Sequence, residues 1–336
     1  MALPRWSRLS IVIAGTAVPF AIADLLGVPR STITLAPHTA RHVVAVMAVL
    51  GVASLSAALV RRRMASKATR LAAFLHAAAD GVIVLAAAGL LFTPLSFAAG
   101  VFMYMAAALG WPLQDATLAA IDRAVGFDWP SVLRALNQRP AVATALADVY
   151  HTTGPQIPVV FLFLAFTGRR ERLLEYLALI GVTSLFTGAA TALVPAVGAH
   201  GFFHPVRDAF SHYTAGAGMW HYEELMRLRS GRPFVYDVTR SQGLVTFPSY
   251  HAVLAIITSF AVRGVRYVGW PVALLNAAVV VSTIPEGGHY LVDVAAGAAI
   301  AMVSILLLRD LVGGEAHSHT AGPAPATTLS DRDPHG

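Results

Sequence analysis

The chain reads as long apolar stretches, nearly free of charge, separated by short basic or polar connections. A helix needs about 20 mostly apolar residues to cross a bilayer's hydrocarbon. On that measure eight crossings are predicted: Leu9–Leu26, Val43–Val60, one within Leu71–Gly110, Val149–Thr167, Leu174–Val194, Ser249–Val262, Tyr267–Ile284 and His289–Leu308. Arg5 and Arg8 ahead of the first run, with Ala21-Ile22-Ala23 at its end, also fit a signal peptide. An uncleaved span is the reading adopted, and the remaining topology is the same either way.

Basic residues collect in three connections: Arg61, Arg62, Arg63, Lys67 and Arg70; Arg169, Arg170 and Arg172; Arg263 and Arg266. The bias of Lys and Arg toward cytoplasmic loops puts all three inside. The stretch Leu71–Gly110 must then cross an odd number of times although it is long enough for two helices. With Thr93-Pro94 as a break, it is predicted to cross once and to carry a re-entrant or interfacial piece. Segment Trp111–Ala147 falls outside, as short amphipathic helices on the membrane surface. The same parity places Pro195–Pro248 and Pro285–Gly288 together on the outer side.

Composition agrees. Charged residues make up 12% of the 336 positions and hydrophobic ones 56%, against about 25% charged in a soluble domain. A mean hydropathy of +0.64 leaves too little polar surface to coat a globule. The predicted fold class is therefore all-α, a polytopic membrane helical bundle, which excludes a soluble enzyme. With no cysteine, thiolate nucleophiles and Cys-based metal sites are excluded too. The net charge of +6 is read mainly as orientation signal, and no nucleic-acid partner is implied. The tail from Gly313, with His317, His319 and His335, reads as a disordered cytoplasmic extension rather than a metal site.

Polar residues stand in three places where the membrane pattern calls for apolar ones. Phe247-Pro248-Ser249-Tyr250-His251 opens one span, where a Pro-Ser helix start presents free N–H groups and a hydroxyl to an anion. Gly287-Gly288-His289-Tyr290-Leu291-Val292-Asp293 opens the last, and His289 and Asp293, four apart, share a helix face. The carboxylate there fixes the imidazole tautomer and leaves the other ring nitrogen as a lone pair. Arg227, Arg229 and Arg232, with Arg240 beyond, form a basic cluster in an outer loop, suited to phosphate. Any one of these is more often structural. Two histidines, a carboxylate, a serine and arginines at one membrane face together point to an active site. A metal site using Glu286 is disfavoured because hard cations want more oxygens than stand nearby, and no cofactor is implied. Asp24, His76, Asp80, Asp148, His151, His200, His204, His212 and His221 have no spacing argument and are read as interfacial or packing residues.

At these residues the sequence resembles the type 2 phosphatidic acid phosphatase superfamily, with motifs Lys-x6-Arg-Pro, Pro-Ser-Gly-His and Ser-Arg-x5-His-x3-Asp. The second stands here as Pro248-Ser249-Tyr250-His251, and the third as Ser282-Thr283, five residues, His289, three residues, Asp293. The first keeps only Arg232-Pro233, since Leu225 holds the lysine position, and Thr283 replaces the arginine of the third. Arg227 or Arg229 is the expected substitute. The Phe-Pro-Ser-x-His and Gly-His-Tyr-x-x-Asp forms are more similar to the inositol phosphorylceramide synthase branch, which implies head-group transfer. The resemblance implies a six-helix core over residues 71–310, with residues 1–70 adding two accessory helices and residues 311–336 the tail.

What the resemblance implies is an integral membrane enzyme acting on a lipid-linked phosphate or phosphodiester through a phosphohistidine, without metal. His289 is then the nucleophile, Asp293 orients it, His251 is the acid and base, and Ser249, Ser282 and the arginines hold the phosphoryl oxygens. The partners are a phosphorylated lipid, the bilayer and an alcohol or lipid acceptor. The segment Ala199–Tyr236, with His212, Trp220, His221, Glu223 and Glu224, is expected to recognise the head group. The site faces out of a membrane read as bacterial and inner, with both termini inside. Two rival readings are a transporter or flippase using Asp24, Asp80 and Asp148, and an inactive lipid-phosphate-binding protein.

Overall fold

A computed structural model describes residues 3–313; the expectations for the tail and its histidines lie outside these residues. The chain is helical almost throughout. Helices α1 (Arg5–Gly27), α2 (Pro37–Met64) and α3 (Arg70–Ala108) come first, followed by three short ones, α4 (Asp115–Ala124), α5 (Trp129–Asn137) and α6 (Pro140–His151). Then come α7 (Thr153–Phe166), α8 (Arg170–Leu193), the short α9 (Ala199–Phe203) and α10 (Tyr222–Arg229), and finally α11 (Tyr250–Ala261), α12 (Gly269–Ser282) and α13 (Leu291–Gly313).

Five helices, α1, α2, α3, α8 and α13, are long and apolar enough to span alone, and α6 with α7, bent by 49°, makes a sixth. These make the chain an integral membrane protein. The remaining two expected crossings are shorter. Helices α11 and α12 have 12 and 14 residues, about 18 and 21 Å at 1.5 Å per residue, against roughly 30 Å of hydrocarbon. Before α11 the chain runs inward as irregular backbone. Gln242–Val245 line a cavity with Leu95 of α3, Ile157 of α7 and Ile180 of α8. Non-helical backbone is tolerated at such depth where it borders a cavity.

Leu71–Gly110 departs from expectation more clearly. It is one helix of 39 residues that runs through Pro94, with no re-entrant piece. At about 58 Å it outreaches the bilayer. Its last turns do not turn back into lipid; they form the spine of an outer cluster in which Val101, Tyr104 and Ala107 pack with Ile33, Leu225, Phe234 and Tyr236. That burial explains why an apolar run long enough for two crossings makes only one.

The two ends of the bundle differ in chemistry. At one end the basic connections meet. Arg263 reaches Glu175 at 2.8 Å, Arg5 reaches Glu175 at 2.9 Å and Glu171 at 3.2 Å, and Arg172 donates to the Arg263 carbonyl. At the other end the α1–α2 connection supplies β1 (Ile33–Leu35), which pairs in parallel with β2 (Phe234–Tyr236). The two accessory helices are not equivalent. Leu9, Ile13 and Phe20 of α1 belong to the main core with Leu95, Leu164 and Leu177, whereas α2 leans on α3 with most of its surface exposed. A second core joins α4, α5 and α6 through Leu118, Trp129 and Ala143 to Tyr213 and Tyr290.

Candidate active site

Both motif-bearing segments begin a helix, and their starts pack together. Ser249 caps α11, its hydroxyl accepting from the Ala252 N–H at 3.4 Å, and its own N–H donates to the Asp293 carbonyl at 3.0 Å. Opposite it, α13 carries Gly297, where a Cβ would stand 2.4 Å from the Ser249 carbonyl oxygen. Only glycine lets the two backbones come this close.

The loop that delivers His289 is pinned at nearly every carbonyl. Trp129 Nε1 donates to Ile284 at 3.3 Å, His200 Nε2 to Pro285 at 2.9 Å, Gly218 N to Glu286 at 2.8 Å and Ala199 N to Gly288 at 2.7 Å. The N-terminal N–H groups of α13 are not left to solvent. Asp122 of α4 accepts from Leu291 N at 2.7 Å and from Val292 N at 2.9 Å, a cap supplied from a distant segment. Asp115, one face along the same helix, accepts from Val197 N, Gly198 N and the Tyr290 hydroxyl. Burial pushes both carboxyls up, against the donors that pull them down.

Within this frame His289, buried, places Nδ1 3.4 Å from Asp293 Oδ2, which also accepts from Tyr290 N at 2.9 Å. The His251 ring lies 6.5 Å from that of His289, centroid to centroid. It stacks on Tyr150 at 4.4 Å, whose hydroxyl is 3.4 Å from His251 Nδ1. Both rings border one cavity of about 340 Å³, walled also by Tyr150, His151, Trp220 and His221 and floored by Gln242, Gly243 and Thr246. Through Gln242, Gly243 and Val245 it adjoins an apolar cavity of about 290 Å³ among α3, α7, α8 and α11.

The spacing-based candidates therefore divide. His251 and His289 border one cavity, with Asp293 behind His289. Ser249 and Ser282 are fully buried and bonded within their own helices, Ser282 to the Val279 carbonyl at 2.7 Å. Arg227 and Arg232 line a separate cavity with Tyr222, Glu223 and Phe234. Arg229 donates to the Trp111 carbonyl. Leu225 and Thr283, at the positions where the motifs carry cations, are buried.

Residues without a spacing argument fill the gaps. His151, Trp220 and His221 line the cavity; the last two belong to the segment expected to recognise the head group, of which Glu223 borders the arginine cavity and His212 bonds Asn137. His221 donates Nε2–H to the Val197 carbonyl at 3.1 Å, and burial pushes its imidazole down to about 4; His200 behaves alike, also about 4. Tyr150-His151 repeats the dipeptide Tyr250-His251 within an apolar run, and Asp115 and Asp122 stand seven apart on one helical face. Those were the available signals. Among the described residues no group of three or more acidic or His side chains is arranged to hold a metal.

The family model for the PAP2 superfamily matches residues 116–307. No curated protein and no solved structure matches the chain.

Proposed function

The chain belongs to the PAP2 superfamily, and from that premise we propose that it is a membrane phosphoesterase that works on a lipid-linked phosphate through a phosphohistidine. The observation that carries the reading is the pair of imidazoles facing one cavity, His289 backed by Asp293 and His251 across from it. Nδ1–H of His289 is held by the carboxylate, so the Nε2 lone pair attacks phosphorus as the ester P–O bond breaks. The leaving alkoxide takes a proton from His251. In the second half His251 takes a proton from water or an acceptor alcohol as its oxygen attacks phosphorus. The P–N bond breaks, and its electron pair returns to Nε2.

In this reading the substrate's tail lies in the apolar cavity that adjoins the His cavity, and the phosphate stays among polar groups near the outer end. The same adjacency favours transfer as a second outcome, because a lipid alcohol in that cavity would exclude water from the phosphohistidine. Ser249 and Ser282 act by holding the α11 and α12 ends in place, and the arginines lie too far along the outer loop to share the His cavity's lining. No step draws on a metal.

The test is phosphate release from a panel of lipid phosphates and phosphodiesters by purified protein in detergent, with and without chelator and a ceramide or alcohol acceptor. Chelator-resistant release that disappears in His289→Ala supports the hydrolase. Product formed only with acceptor present supports the transferase. Release that survives His289→Ala overturns the phosphohistidine.

A further inference from the structure

On the phosphoesterase reading the cavity between His289 and His251 holds an anion, yet among the described residues no Lys or Arg lines it. Of the three positions at which the motifs carry a cation, two are the buried Leu225 and Thr283, and the third, Arg232, borders another cavity with Arg227. Positive charge must therefore come from a group that the spacing of motifs does not reveal. Of the imidazoles around the cavity, His289 and His221 are buried and committed, one to Asp293 and one to the Val197 carbonyl. His251 is stacked on Tyr150.

His151 differs from these three in two ways. Its side chain is 49% exposed, so water helps to carry its charge, and its Nε2 lies 3.1 Å from Glu286 Oε1. Glu286 is wholly buried in the loop that delivers His289, and its other side-chain partners are neutral, the N–H and hydroxyl of Thr214. A buried carboxylate with no cation beside it is costly, and His151 is the side chain placed to be that cation. As an imidazolium the ring would donate Nε2–H to Glu286 and have Nδ1–H for a ligand.

We propose that His151, held by Glu286, is the phosphate-binding cation of this site, doing for the phosphoryl oxygens what an arginine or lysine would do. It rests on the phosphoesterase reading for its substrate but not for its measurement. The same pair adds a positioning effect, because Glu286 precedes Gly287 and Gly288 and so links the cation to the loop carrying the nucleophile. Since the charge meets the phosphate in ground state and transition state alike, the loss on removing it falls on KM more than on kcat.

Two measurements test this. The first is binding of inorganic phosphate to His289→Ala protein in detergent, with His151 intact or changed to Gln or Lys. A charge-assisted contact of this kind predicts a ten- to hundredfold weaker Kd for Gln, and recovery to within a few fold for Lys. Equal Kd for His and Gln, or Lys no better than Gln, overturns the proposal. The second is turnover in protein that keeps His289. His151→Gln should raise KM about tenfold with a smaller effect on kcat, and Glu286→Gln should move KM in the same direction. A fall confined to kcat overturns the binding role. If the parent protein releases phosphate from no lipid in the panel, the phosphoesterase reading fails, and the phosphate titration still decides whether His151 is the cation.

Discussion

His289→Ala removes the ring nitrogen that the Asp293 contact leaves available, so phosphate release is expected to fall to background. His251→Ala leaves the nucleophile but no acid for the leaving alkoxide, a loss of about 10²- to 10⁴-fold in kcat. Release assays on the two variants separate these roles. A different pair of histidines governs stability. His200 and His221 give Nε2–H to backbone carbonyls in buried positions, and each imidazole is pushed from 6.5 to about 4. Between those limits the unfolded chain binds protons that the folded chain refuses, so stability is full above about 6.5 and falls as pH drops toward 4. Melting temperature measured across that range should decline, and His221→Gln should flatten the slope. At this scale the placement was legible where residues sit at fixed spacing, as in His289 and Asp293. His151, Trp220 and Glu286 come from three segments far apart in the chain. No periodicity links them, and only the folded loop brings Glu286 under His151.

Between elements, the site depends on how α13 begins. Its first N–H groups bond Asp122, a residue of α4, and the cost of losing a cap is about 1–2 kcal/mol. Asp122→Ala should therefore lower the melting temperature in detergent and reduce kcat together, because the loosened turn carries His289. Gly297→Ala tests the other side of the same helix. Its Cβ would meet the Ser249 carbonyl at 2.4 Å, and forcing α11 and α13 apart should cost about 1–3 kcal/mol and separate the two imidazoles. A drop in melting temperature with loss of turnover is the expected result; unchanged values would mean that the helices slide freely past each other. The elements themselves were largely readable because a bilayer demands long apolar runs. The sequence pattern misled at α3, where the same apolarity serves two surroundings. Leu71 and Phe74 are exposed where lipid is expected, while Val101 and Tyr104 are buried against the outer strands. Hydropathy does not distinguish a lipid-facing residue from one covered by protein. It located α11 and α12 to within two residues at each end, though both are shorter than the hydrocarbon is thick.

Across the whole molecule, the two ends differ in charge in a way that predicts opposite sides of a membrane. Arg5, Arg172 and Arg263 meet around Glu175 at one end, and Lys67 lies in the connection after α2 that returns there. The other end holds the β1–β2 pair and the segment leading into the His cavity, in which Ser241 is exposed. On the bias of basic connections toward the cytoplasm we propose that the cavity faces outward. Because the chain has no cysteine, a single introduced thiol reports on its own position. In intact cells a membrane-impermeant maleimide should label Ser241→Cys directly and Lys67→Cys only after permeabilisation. The reverse pattern would turn the enzyme round, so that its phosphate product would be released on the side where the basic connections lie. Labelling of both thiols without permeabilisation would instead mean that the accessory helices do not cross as a hairpin. That outcome would conflict with the parallel pairing of the α1–α2 connection to Phe234–Tyr236 and with the burial of α1 in the main core. The labelling therefore tests, in one experiment, the orientation of the site and the integration of a helix that lies outside the family-matched residues.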